Sequence, residues 1–133
     1  MHALVLIVDG DSERIERARR LVEQEGAVAV TATDSREAMC LYVRREPHVI
    51  VLHVDPAHEA DLGLCRDMKA LRKGRGRSVV VVGPRKSRQA AFEAGCDAFV
   101  TQQTDTLSLR RTVRRLLAVV RKPSPDLGVE LIA

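Results

Sequence analysis

Five short apolar runs, at residues 3–8, 27–31, 49–54, 79–82 and 98–100, alternate with longer segments whose apolar residues recur every three or four positions. The runs are rich in Val and Ile and show little polar alternation, so both of their faces must be covered, as in a parallel sheet flanked by helices. The intervening segments carry helical stripes. Ile15, Ala18 and Val22 lie on the first, Ala38, Leu41 and Tyr42 on the second, and Leu64, Cys65, Met68 and Leu71 on the third. The fourth is short, about residues 87–94, and the fifth, 106–121, aligns Leu109, Val113, Leu116, Leu117 and Val120. Gly26 and Gly95 stand where helices end, and Asp34 with Glu37 reads as the start of the second helix. Five strands and five helices in strict alternation, with right-handed crossovers, predict a three-layer α/β sandwich.

A chain of 133 residues with 45% hydrophobic content has room for one such domain, predicted over 1–121. Pro123 and Pro125 forbid continuation of the last helix, so 122–133 reads as a tail or linker. With 2% aromatic residues, stacking platforms for single-stranded nucleic acid are disfavoured. No apolar run reaches the ~18 residues of a membrane span, and a cytoplasmic protein without membrane partners is expected. Cys40, Cys65 and Cys96 are an odd number embedded in apolar patterns, which suits reduced core thiols. The net charge of +4 is unevenly distributed: residues 1–65 hold 7 basic against 12 acidic side chains, and residues 66–133 hold 15 against 6. The later elements therefore build a basic face.

Ligands of open parallel sheets sit outside the carboxyl ends of the strands, which directs attention to residues 9–11, 53–55, 83 and 101–103. A single glycine in VDGDSERIE, where a dinucleotide fold needs three, disfavours a nucleotide cofactor, and no cofactor is expected. The segments LVLIVDGDSERIERARRLVEQEG, TATDSREAM, EPHVIVLHVDP, AFEAGCDAFVTQ and LRRTVRRLL span nearly all of residues 3–121. In them the chain resembles the receiver domains of two-component response regulators. The resemblance implies a flavodoxin-like fold with strand order 2-1-3-4-5 and a place in bacterial signal transduction.

A working receiver of that family has an aspartate acceptor after the third strand and paired acidic residues after the first, which hold a divalent cation. A hydroxyl follows the fourth strand and a lysine the fifth. Cation and lysine neutralise the charge that builds on the phosphoryl oxygens, and the hydroxyl donates to one of them. Matched position by position, this chain keeps Asp9 but has Gly10, His53, Gly83 and Gln102 at the other four places, with Gln103 where the family has proline. Asp11 and Asp55 stand one and two residues away from the needed positions; in the family, the place of Asp55 contributes a backbone carbonyl to the cation. The site reads as a degenerate phosphorylation site, without catalytic or metal-binding residues and without enzymatic activity. His53 is expected to pair with Asp9 or Asp11.

The family's switch is lost with that site, and Phe99, on the fifth strand, reads most simply as a core aromatic. The remaining asset is a fixed surface. Arg85, Lys86 and Arg88 in the fourth helical region, with Phe99 and with Arg110, Arg111, Arg114 and Arg115 in the fifth helix, form the expected interaction face. Its partner would be a protein acidic at the contact, or a second copy. Arg110 and Arg114 are expected to project into solvent, with Arg14, Arg17 and Arg20 as the fallback surface. Two other readings stand beside this one. One is a sensor or enzyme using a divalent transition metal at Asp9 and His53, with His48 and His58 too distant to share the ion. The other is a nucleic-acid-binding accessory domain built on the basic helices.

Overall fold

The Val-rich runs become strands β1 (Leu4–Val8), β2 (Val28–Ala32), β3 (Val49–His53), β4 (Ser78–Gly83) and β5 (Ala98–Thr101). They pair in parallel, in the order β2-β1-β3-β4-β5. The computed structural model describes residues 2–55, 60–71, 77–102 and 106–121; the expected tail at 122–133 lies outside them. Five helices connect and follow the strands: α1 (Ser12–Gln24), α2 (Ser35–Arg45), α3 (Ala60–Ala70), α4 (Arg88–Glu93) and α5 (Leu107–Arg121). The predicted three-layer α/β sandwich and its strand order are both observed.

Side-chain alternation along each strand divides the apolar residues between two cores. On one face, Ile15 and Val22 of α1 and Val113 and Leu117 of α5 cover Val5, Ile7, Val51, Val80 and Val82. On the other, Ala38 and Tyr42 of α2, Leu64, Cys65 and Met68 of α3 and Ala91 of α4 cover Leu6, Ile50, Leu52, Val79 and Val81. Phe99 packs against this second core, as expected. The Tyr42 hydroxyl donates to the Met68 carbonyl at 3.0 Å, and the Arg77 guanidinium lies 5.1 Å from the ring centre. A buried phenol thus keeps a hydrogen-bond partner and gains a cation over its face.

The helix ends follow from named side chains. Asp34 caps α2 by accepting from the Glu37 N–H at 2.8 Å, and Asp11 caps α1 by accepting from the Glu13 and Arg14 N–H groups at 2.9 and 3.2 Å. The fourth helix is a single 3-10 turn, Arg85–Ser87, followed by six α-helical residues. It closes at Gly95, whose φ of 100° suits only glycine and where a Cβ would lie 3.3 Å from the Lys69 side chain. Lys69 holds Asp97 at 2.9 Å, and Asp97 in turn accepts from the Val79 N–H at 2.7 Å, which anchors the start of β4.

Two expectations about burial are corrected. Leu71 is 40% exposed because α3 stops at Ala70, one residue before the stripe would have used it. Cys40 is exposed because it lies 200° around α2 from Ala38, on the solvent side. Cys65 and Cys96 are buried as expected, and burial pushes each thiol up to about 11. Among the described residues, no helix is long and apolar enough to cross a membrane. At neutral pH the folded protein should therefore lose one thiol, Cys40, to an alkylating reagent, and the other two only on unfolding. Mass spectrometry after brief labelling with and without urea checks this.

Candidate functional site

The strand ends bring Asp9, Gly10, Asp11, His53 and Asp55 together around one crevice, with Thr33 and Asp34 on its far side. Gly83 and Gln102 do not line it. They sit on the next strand pair, joined by a bond from the Gln102 N–H to the Gly83 carbonyl at 2.7 Å. The Gln102 side chain is exposed. A Cβ added at Gly83 would lie 3.3 Å from the Val54 carbonyl oxygen and 3.5 Å from its Cβ, with Phe99 at 3.9 Å. The space beside Gly83 is thus tight. At Gly10, by contrast, nothing lies within 4 Å of an added Cβ.

Asp9 is the one buried charged side chain among the described residues, at 5% exposure. Its carboxylate is held by Arg14, from the first turn of α1: Nε donates to Oδ2 and Nη2 to Oδ1, both at 2.9 Å. The Asp11 N–H adds a third bond, to Oδ1, at 3.0 Å. Both carboxylate oxygens are engaged and the buried charge is neutralised within the chain, the condition under which a charge tolerates burial. The hydrogen bond to Asp9 raises the Arg14 pKa further above its ordinary value. Asp11 is occupied as the cap of α1, which lowers its pKa, and its second oxygen lies 3.5 Å from Arg14 Nη1.

Arg14 was expected only on a fallback surface and is the functional residue that sequence reasoning missed. The available signal was its spacing. Side chains in a helix lean toward the N-terminus, so an arginine in the first turn reaches back over the strand that leads into it.

The expected pairing of His53 with Asp9 or Asp11 is not formed, because Arg14 has taken both oxygens of Asp9. His53 Nδ1 is buried without a hydrogen-bond partner. Burial lowers the His53 pKa below the ordinary imidazole value, against a weaker opposite pull from Asp9. His48 does not approach the crevice; its Nδ1 accepts from the Leu4 N–H at 3.0 Å, beside the start of β1, and His58 lies outside the described residues.

Of the expected interaction face, Arg85, Lys86 and Arg88 line a shallow groove with Gln89, Phe92 and Glu93. Phe92 is 42% exposed beneath the Arg88 guanidinium, 5.1 Å from its ring centre. Phe92, and not the inward-packed Phe99, is therefore the accessible aromatic here. Arg110 and Arg114 do not project freely. Arg110 Nη2 donates to Gln24 at 2.5 Å, and Arg114 makes a two-pronged contact with Glu25 at 2.8 and 3.0 Å. Both are on the flank of α5 that meets the end of α1, because α5 packs beside α1 on the same side of the sheet. Arg111 and Arg115 remain exposed.

Two outcomes test this geometry. Because His53 is held below its ordinary value of 6.5, the unfolded chain takes up that proton first as the pH falls. Stability should decline from pH 6.5 to the lower folded value and then level off, and His53→Gln should remove that part of the slope in urea titrations. Arg14→Ala leaves a buried carboxylate with only the Asp11 N–H, and should cost about 2–3 kcal/mol, less than breaking a fully buried pair because Arg14 is partly exposed. Arg14→Lys should recover only part of the loss, since an ammonium cannot make the fork.

No protein-family profile matches the chain. Among curated proteins it is 28% identical over 114 residues to an uncharacterized 14.6 kDa protein of Leptolyngbya boryana, covering 84% of this chain and 87% of that one. It is 28% identical over 132 residues to the response regulator MprA of Mycobacterium leprae, covering 97% of this chain and 56% of the relative. A two-component response regulator from Clostridium difficile superposes with a TM-score of 0.77 at 18% identity, over 91% of this chain and 100% of that one. The signal receiver domain of a histidine kinase from Syntrophus aciditrophicus gives 0.79 at 24% identity, over 92% and 96%. The fold of this chain is the CheY-like receiver fold.

Proposed function

We propose that the chain is a receiver-like signalling domain that works without phosphorylation, as a protein-protein interaction module. The observation that carries this reading is the two-pronged Asp9–Arg14 pair. In a phosphorylatable receiver the first carboxylate serves a cation, which in turn serves the incoming phosphoryl group. Here an internal guanidinium takes that carboxylate. The acceptor position holds His53, with a buried ring nitrogen, and the hydroxyl position holds Gly83, tight against the Val54 carbonyl. The same pair argues against the reading in which Asp9 and His53 bind a transition metal, since the Arg14 guanidinium already neutralises the Asp9 carboxylate and would repel a second cation there. No observation favours the nucleic-acid reading over a protein partner.

The interaction face is the α4 groove with Arg85, Lys86, Arg88 and Phe92, continued by Arg111 and Arg115 of α5. Its chemistry fits an acidic protein surface: guanidinium groups fork onto carboxylates, and an exposed aromatic supplies an apolar anchor. Self-association through this groove would bring Arg85, Lys86 and Arg88 against their own copies, so a homodimer there is the weaker variant. Arg110 and Arg114 serve the α1–α5 junction instead.

Incubation with a small acyl phosphate and Mg²⁺ should add no phosphoryl mass to the intact protein; labelling at His53 or Asp55 would sink the reading. For the face, Arg88→Glu with Arg115→Glu should abolish capture of a partner that the unaltered domain binds. Arg110→Glu with Arg114→Glu should lower thermal stability and leave capture intact.

A further inference from the structure

Behind the crevice, between α1, α5 and the ends of four strands, lies a half-open pocket of about 130 Å³. Ile7, Val51, Val82, Val100 and Leu109 supply its apolar lining, and Ala18 of α1 forms part of one wall. An engineered apolar cavity of about 150 Å³ takes up benzene, so this volume holds a ring or a short alkyl chain and nothing larger.

Its polar boundary is distinct. Asp9, Arg14 and Arg17 are the charged groups on it, with Thr101 and Thr106 adding hydroxyls. Asp9 and Arg14 cancel one another through their fork. Arg17, exposed and without a hydrogen bond or close ion pair among the described residues, feels Asp11 only through longer-range attraction and keeps its guanidinium donors available. His53 forms the wall shared by crevice and cavity, and its Nδ1 has no partner in the chain. A half-open apolar pocket, a guanidinium with available donors and an imidazole nitrogen lacking a partner define one ligand chemistry: a small amphiphilic anion whose apolar end enters the sheet-facing space while its charged end meets Arg17.

We propose that this cavity is a binding site for a small organic carboxylate bearing a benzene-sized ring or a short alkyl chain. The site lies on the α1–α5 side of the sheet, whereas the α4 groove belongs to the opposite layer. The proposal therefore stands whether or not that groove binds a protein. Ligand binding beside His53 and Thr101 would give the domain an input other than phosphorylation.

The test uses the full chain and three probes: benzoate, hexanoate and neutral benzyl alcohol. Titration followed by nitrogen and proton NMR should give saturable binding of benzoate and hexanoate, with shifts centred on the His53 imidazole, Val100 and Leu109. Arg17→Gln should weaken both carboxylates about fivefold, as expected of one partly exposed charge pair, and leave benzyl alcohol within about twofold. Ala18→Leu, which places a larger side chain in the cavity, should remove all three. Should that variant unfold, Leu109→Phe replaces it, and the NMR mapping on the unaltered chain needs neither. Absence of saturable carboxylate binding, shifts mapping elsewhere, or binding undiminished in the filled variant would each overturn the site. Equal affinity for alcohol and carboxylate, insensitive to Arg17, would overturn the anionic class.

Discussion

The carboxylate of Asp9 is the group on which the arrangement at the strand ends depends. It is buried at 5% exposure, carries a charge, and lies at the end of a strand whose other side chains are hydrocarbon. Such a group persists only with a compensating cation and satisfied oxygens. Arg14 provides both from one side chain, and Asp11 supplies a third donor while its own carboxylate starts the helix that carries Arg14. Strand end, helix cap and ion pair therefore form one unit within six residues. The sequence of that unit, with Gly10 leaving the turn open, is self-sufficient in charge.

That self-sufficiency explains the state of its neighbours. With both oxygens of Asp9 engaged by Arg14, His53 makes no hydrogen bond to that carboxylate, and burial holds its pKa low against the weaker pull of the nearby carboxylates. Gly83 and Gly10 differ in the room around them: a Cβ at Gly83 would lie 3.3 Å from the Val54 carbonyl oxygen, close enough that a neighbour must shift by a few tenths of an ångström, whereas one at Gly10 meets open space.

The fold was legible because its signals are local and redundant. Continuous Val runs, the caps at Asp34 and Gly95 and the α5 stripe all pointed to one arrangement, the consistency across levels that specifies a structure. The site was legible only as a set of departures from the residues that the resemblance implies. Gly10, His53, Gly83 and Gln102 could be read from their places after the strands, but the contacts formed around them could not. The pairing of His53 with Asp9 was a sound inference from two residues on adjacent strands. It failed because a helical arginine competes better, having two aligned donors against one and a permanent charge. Arg110 and Arg114 were misplaced for a different reason. Their partners, Gln24 and Glu25, are 86 and 89 residues away, and only the packing of α5 beside α1 reveals which flank of the stripe they occupy.

The distribution of basic residues takes on a different meaning once these pairs are known. The excess of positive charge in the second half of the sequence suggested one face, but the structure divides it. Arg110 and Arg114 answer the acidic end of α1, where a negative helix terminus, Gln24 and Glu25 together favour cations. Arg77 is committed to Glu46, the Pro47 carbonyl and the Tyr42 ring, and Lys69 to Asp97. What remains on α4 and the outer side of α5 is a smaller set: Arg85, Lys86, Arg88, Arg111 and Arg115. Charge available for binding is the sequence charge minus what the fold consumes, and here Arg85, Lys86 and Arg88 of that remainder collect beside the one exposed aromatic ring, Phe92. A basic groove with an apolar centre is therefore a product of the packing, carried by a helix that covers the sheet face opposite α1.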